Sequence, residues 1–176
     1  MVLNEALLEE HSRAQTQKIF RWISDDAERF AALAELFLNG DGKIVQRAAP
    51  VIGLVAEHHP EIVLPFLPRI VARMEDPKQH GAVRRNVMRI FERLQVPEAL
   101  EGRVMHLAFH MLADHSEAIA VRAHAMSVLA GLARTYPDIR GELELLITDI
   151  MAGDGATAAL RARGRMVLKE LARRLK

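Results

Sequence analysis

The sequence predicts an all-α fold, a right-handed α–α superhelix of about four helix pairs plus a terminal helix. Three observations predict it. Related segments recur along the chain, "KIVQRAAPVI", "AVRRNVMRIF", "AVRAHAMSVL" and "ALRARGRMVL". Their anchors Val45, Val83, Val121 and Leu160 are separated by 38, 38 and 39 residues, a spacing that marks a repeat array. Hydrophobic residues make up 50% of the chain but aromatic ones only 5%, and alanine and leucine stand where a strand would need β-branched runs. Finally, Pro60, Pro97 and Pro137 fall between apolar segments, where their fixed φ suits the first turn of a second helix.

The elements follow in order. A first unit, 4–38, opens with a helix over 4–23 capped by Asn4, passes Ser24-Asp25-Asp26, and continues in "AERFAALAELFL", whose apolar residues keep a 3.6-residue period. "NGDGK" at 39–43 is the strongest turn signal, since Gly40 and Gly42 take backbone angles other residues resist. The second unit, 44–75, pairs a helix from Ile44 to His58 with "EIVLPFLPRIVARM", which Pro65 and Pro68 should bend by removing amide donors. The third, 82–113, divides at Val96-Pro97, and the fourth, 118–151, at Tyr136-Pro137. A last helix, 157–175, has no partner after it. The whole, 1–176, reads as one repeat domain. Its first unit is the least regular: Ser12-Arg13 falls opposite Val45-Gln46 at a spacing of 33 rather than 38, as expected of a terminal cap.

Composition narrows the functional classes. With no Cys, disulfides, thiolate catalysis and cysteine-ligated metals are excluded. The amino terminus "MVLNEALLEEHSR" is acidic where a signal peptide is basic, and no apolar run is long enough for a membrane span. A cytoplasmic protein without a membrane partner is the expectation. Net charge runs from −3 over residues 1–44, through zero over 45–120, to +4 over 121–176. That gradient is weaker than a dedicated nucleic-acid binder requires.

The repeated segments carry a V-R-x-x-A/V pattern at Val83-Arg84, Val121-Arg122 and Leu160-Arg161, with Val45-Gln46 departing from it. Alanine or a substitute follows at Ala49, Val87, Ala125 and Gly164. With the proline-marked turns and the repeat length, nearly the whole chain resembles the HEAT-repeat family, armadillo-like α-solenoids of stacked helix pairs. The resemblance implies a binding surface. Its members include scaffolds, transport adaptors, regulatory subunits, chromophore-lyase-like proteins and relatives of DNA-alkylation repair.

Arg84, Arg122 and Arg161 are read as structural repeat positions, each laying its stem over a neighbouring helix and offering its guanidinium to a loop carbonyl or carboxylate. Asp76, Asp114 and Asp154 precede them by eight, eight and seven residues, so an Asp–Arg tie is also expected. Arg85, Arg89, Arg163, Arg165 and Arg173, joined by Arg93, Lys169, Arg174 and Lys176, are the candidates for contacting phosphates. Without aromatic platforms or a Gly-rich anion loop, such contact would be weakly selective and salt-dependent.

Second helices should line the inner surface of the array. That places Arg69, Arg73, His106 and His110 together as candidate partner-binding residues, with Met74, Met105 and Met111 as adaptable apolar neighbours. A protein or acidic peptide segment fits that mixture, more so as the histidines gain charge on mild acidification. His106, His110 and Asp114 share a helix face with the donor types a divalent metal takes, yet their register matches an ordinary polar face and no metal site is assigned. No catalytic constellation and no cofactor motif is present. The function read from the sequence is a non-catalytic interaction scaffold or adaptor. Phosphate-directed nucleic-acid binding is the alternative, and a chromophore-lyase-like role or a regulatory enzyme subunit lies behind it.

Overall fold

The computed structural model describes residues 1–76 and 78–173; Pro77, in the loop after the second unit, Arg174 and Leu175 of the expected last helix, and Lys176 lie outside the described residues. The fold is all-α, with no strand among the described residues. The α-helices are α1 (Leu3–Glu9), α2 (Arg13–Ile23), α3 (Ala27–Asn39), α4 (Gly42–His58), α5 (Pro60–Val63), α6 (Leu67–Met74), α7 (Gly81–Arg93), α8 (Glu98–Ala113), α9 (Ile119–Leu132), α10 (Arg140–Ala152) and α11 (Ala158–Ala172). Short 3₁₀ turns, Leu64–Phe66 and Pro137–Ile139, precede α6 and α10. The packing is that of an α-solenoid of paired helices with a terminal helix.

The chain forms two compact units, Met1–Gln95 and Val96–Lys176. In the first, α4 is central and packs on α1, α2, α3, α5 and α7. In the second, α9 holds that place, against α8, α10 and α11. A helix surrounded by neighbours must be apolar on most of its faces. Both are: α4 buries Ile44, Val45, Ala48, Ala49, Val51, Ile52, Val55 and Ala56, and α9 buries Val121, Ala125, Met126, Val128, Leu129, Ala130 and Leu132. Each large side chain so buried contributes about 1.5–3 kcal/mol.

Several local features differ from expectation. The helix expected over 4–23 is two helices, because Ser12 caps α2 by accepting the Gln15 N–H at 3.0 Å. Gln15 then turns its amide to the Ala6 carbonyl at 2.6 Å, fastening α1 to α2. Asn4 lies inside α1, which has no side-chain cap. "NGDGK" is a turn, but neither glycine has positive φ. Asp41 caps α4 by accepting from Lys43 and Ile44, and Gly40 is needed for space: a Cβ there would lie 2.3 Å from the Leu36 carbonyl oxygen. Among the described residues positive φ occurs at Ser24 instead, at 48°.

Pro65 and Pro68 break the second helix of its pair into α5, a 3₁₀ turn and α6. Pro50 is tolerated within α4, although its missing N–H leaves the Gln46 carbonyl without its helical donor. Pro60 opens α5, Pro97 flanks α8 and Pro137 opens the 3₁₀ turn before α10, so each marks the start of a second helix.

Candidate functional site

A helix end leaves its last four carbonyls without intrahelical donors, and positive charge there is favourable. Arginine side chains meet that need repeatedly in this chain. Arg122 donates Nε–H to Leu112 of α8 at 3.0 Å, and Arg161 donates to Met151 of α10 at 3.2 Å. Both reach back ten residues from one repeat position. Arg29 donates to Trp22 at 2.6 Å, Arg47 to Leu7 at 3.0 Å and Arg140 to Ala133 at 3.2 Å. Arg73 donates to Leu38 at the end of α3. Arg122 and Arg161 thus reach carbonyls in the last turns of α8 and α10. The neighbouring Asp76 and Asp114 accept the backbone N–H of Lys78 and Ser116, shaping their own loops.

In the first unit, Arg69 makes a two-point pair with Glu35, its second contact at 3.0 Å. That hydrogen bond holds the Glu35 carboxyl below its ordinary value and raises the Arg69 guanidinium. Arg73 is half-buried over the Phe37 ring, 5.6 Å from its centroid, and burial pushes its guanidinium down. Both arginines expected to meet a partner are thus engaged in joining α6 to α3. Met74 and Met111, expected as adaptable contacts beside them, are core residues at 3% and 4% exposure.

The residues expected to touch phosphates fare differently. Arg89 pairs with Glu57 at 3.3 Å, and Arg93 pairs with the same carboxylate. Asn86 is buried and donates to the Ala82 carbonyl at 2.8 Å. "AVRRNVMRIF" is accordingly a packed helix whose Val83, Val87, Met88, Ile90 and Phe91 enter the core. Arg163 donates to the Ser127 hydroxyl at 2.6 Å. Arg85, Arg165 and Arg173 are exposed.

Within the second unit, a groove of about 460 Å³ opens between α8 and α10. Phe109, Ala113, Leu145 and Leu146 give it apolar walls, and His106, His110, Glu142 and Asp149 line it with polar groups. Leu145 is 65% exposed, the most open large apolar side chain among the described residues. Leu146 is half-buried because it forms part of this wall. Leu54 and Phe66 are half-buried too. His106 and His110 do share one exposed face, as their spacing of four requires. No group of three or more His, Asp or Glu able to hold a metal ion occurs among the described residues.

A family model described as HEAT repeat domain matches residues 3–171. The chain belongs to the HEAT repeat domain family. No curated protein and no solved structure matches it. The HEAT pattern fits the recurrence of Arg122 and Arg161, since α9 and α11 each meet the open end of the helix before them. It also explains Gly164, which stands where Ala125 and Val87 stand in earlier repeats. A Cβ there would approach Met151 Sδ to 2.5 Å and Ile147 Cγ2 to 3.0 Å, so α10 packs directly against the α11 backbone.

The groove was half visible in the sequence. His106 and His110 marked one wall by spacing, while the α10 wall was missed. Its signal was Leu145 beside Leu146, an extra apolar residue outside the core stripe of Leu143, Ile147 and Ile150.

Proposed function

We propose that this HEAT repeat protein is a non-catalytic interaction scaffold that binds a protein segment in the groove between α8 and α10. The observation carrying this reading is Leu145, left open on an apolar wall beside Phe109 and Leu146. Such a wall gains by covering: removing apolar surface from water contributes about 25 cal/mol per Å². The charged groups around it fix orientation more than affinity. Glu142 and Asp149 face the groove from α10, while Arg69 and Arg73 are occupied elsewhere, so basic residues on the partner fit this lip better than acidic ones.

A phosphate-backbone reading keeps one supporting observation, the exposed Arg165 and Arg173 on the last helix. Arg89 and Arg93 pair with Glu57 and Arg163 bonds the Ser127 hydroxyl, which removes part of the basic surface that reading needs.

The test uses the absence of cysteine. Leu145→Cys gives a single attachment point for a thiol-reactive photo-cross-linker. Illumination in extract should join a recurrent protein to this position and not to Leu8→Cys, an exposed control on α1. Equal capture at both positions would remove the groove from the account.

A further inference from the structure

We propose that the occupant of the α8/α10 groove is the outer face of α11 from a second copy of this chain. This rests on reading the groove as a protein-binding site and names its partner.

The face of α11 turned away from its own unit is unusual. Leu160, Gly164, Val167 and Leu171 are buried against α9 and α10. On the opposite side Ala158, Ala162, Arg165, Met166, Lys169 and Arg173 are exposed. At 100° per residue these six positions form one stripe. Three are cations, two are alanines small enough to let another surface approach, and Met166 is 54% exposed.

The groove offers the complement. Its α10 lip carries Glu142 and Asp149, seven residues or about 10.5 Å apart along the helix. Arg165 and Arg173, eight residues apart, span about 12 Å. Leu145 and Met166 are the two most exposed large apolar side chains described in the second unit, and one contact would cover both. Met166 suits an apolar slot because its unbranched thioether adapts to irregular walls.

The geometry also limits the kind of assembly. Groove and stripe are different surfaces, so copies either add head-to-tail or close into a two-fold dimer in which each groove takes the other copy's stripe. Opposite charges steer the encounter, which makes it sensitive to salt.

Sedimentation velocity over a concentration series tests this with the full chain alone. Wild type should grow beyond the monomer at about 0.05 M salt and weaken about tenfold or more at about 0.5 M. The groove variant Glu142→Lys/Asp149→Lys and the stripe variant Arg165→Glu/Lys169→Glu should each be monomeric with unchanged helical circular dichroism. Mixed in equal amounts, they should associate again, because the reversed groove of one meets the reversed stripe of the other. A wild type that stays monomeric throughout overturns the proposal, as does association kept by both variants or a mixture that stays monomeric. A monomeric wild type whose α11 stripe binds a labelled DNA duplex overturns it in favour of phosphate contact. In either monomeric case, cross-linking from Leu145→Cys to a different protein would leave the groove reading standing.

Discussion

The Nε–H of Arg122 points at the carbonyl oxygen of Leu112, 3.0 Å away and ten residues earlier in the chain. One repeat later Arg161 meets Met151 in the same way. Arg122 is 6% exposed, so its bond is sheltered, whereas Arg161 is open to solvent. Hydrogen bonds from charged donors are worth about 1.5–3 kcal/mol when sheltered. Arg122→Ala should therefore lower unfolding free energy in urea by about 2–3 kcal/mol, and Arg161→Ala by about 1 kcal/mol or less. Equal losses would show that burial does not govern the cap.

Gly164 sets the distance between α10 and α11. Gly164→Val would drive methyl groups into Met151 and Ile147. The expected cost is about 1–3 kcal/mol in the same assay. Gly164→Val combined with Met151→Ala should recover part of it, since the nearest atom is the flexible Met151 sulfur. No recovery would place the clash elsewhere.

The phenol of Tyr136 donates to Glu101 at 2.6 Å, and that bond holds it above its ordinary value of 10.0. A raised folded value means the contribution is fully present below pH 10 and is lost as pH rises through the folded value. Wild type should melt above Tyr136→Phe at neutral pH, and the gap should close as pH rises through the raised folded value. A gap that widens with pH would contradict the assigned donor.

Arg69→Glu/Arg73→Glu separates the partner-binding expectation from the structural role. The pair removes the Glu35 contact, places a carboxylate beside it, and strips the cap from Leu38. Thermal melting should fall by several degrees, and restoring Arg73 alone should recover most of the loss, because Arg73 is the more buried of the two. Unchanged melting with lost partner binding would return these arginines to the interface.

The helix pairs were legible because apolar period and proline position are local properties of the chain. Val87, Ile90 and Phe91 fall into the core for the reason their spacing gives. The break between α1 and α2 was written in Ser12-Arg13-Ala14-Gln15, a serine followed three residues later by glutamine, which favours a helix start. A longer amphipathic reading overrode it. The destinations of the arginines were not legible, because a backbone carbonyl at a helix end has no side-chain signature. Arg69 and Glu35 lie 34 residues apart, and only packing brings them together. The α8/α10 groove was half legible for the same reason: spacing showed the histidine wall but not what faced it.

The proposed function rests on the apolar groove between α8 and α10, while most of the arginines serve the fold. Affinity capture with wild type and Leu145→Lys, with and without nuclease, tests it most directly. Wild type should recover a recurrent protein, or further copies of the chain itself, after nuclease treatment, and Leu145→Lys should lose it. Recovery of chiefly nuclease-sensitive material, equal for both proteins and lost with Arg165→Glu/Arg173→Glu, would contradict it.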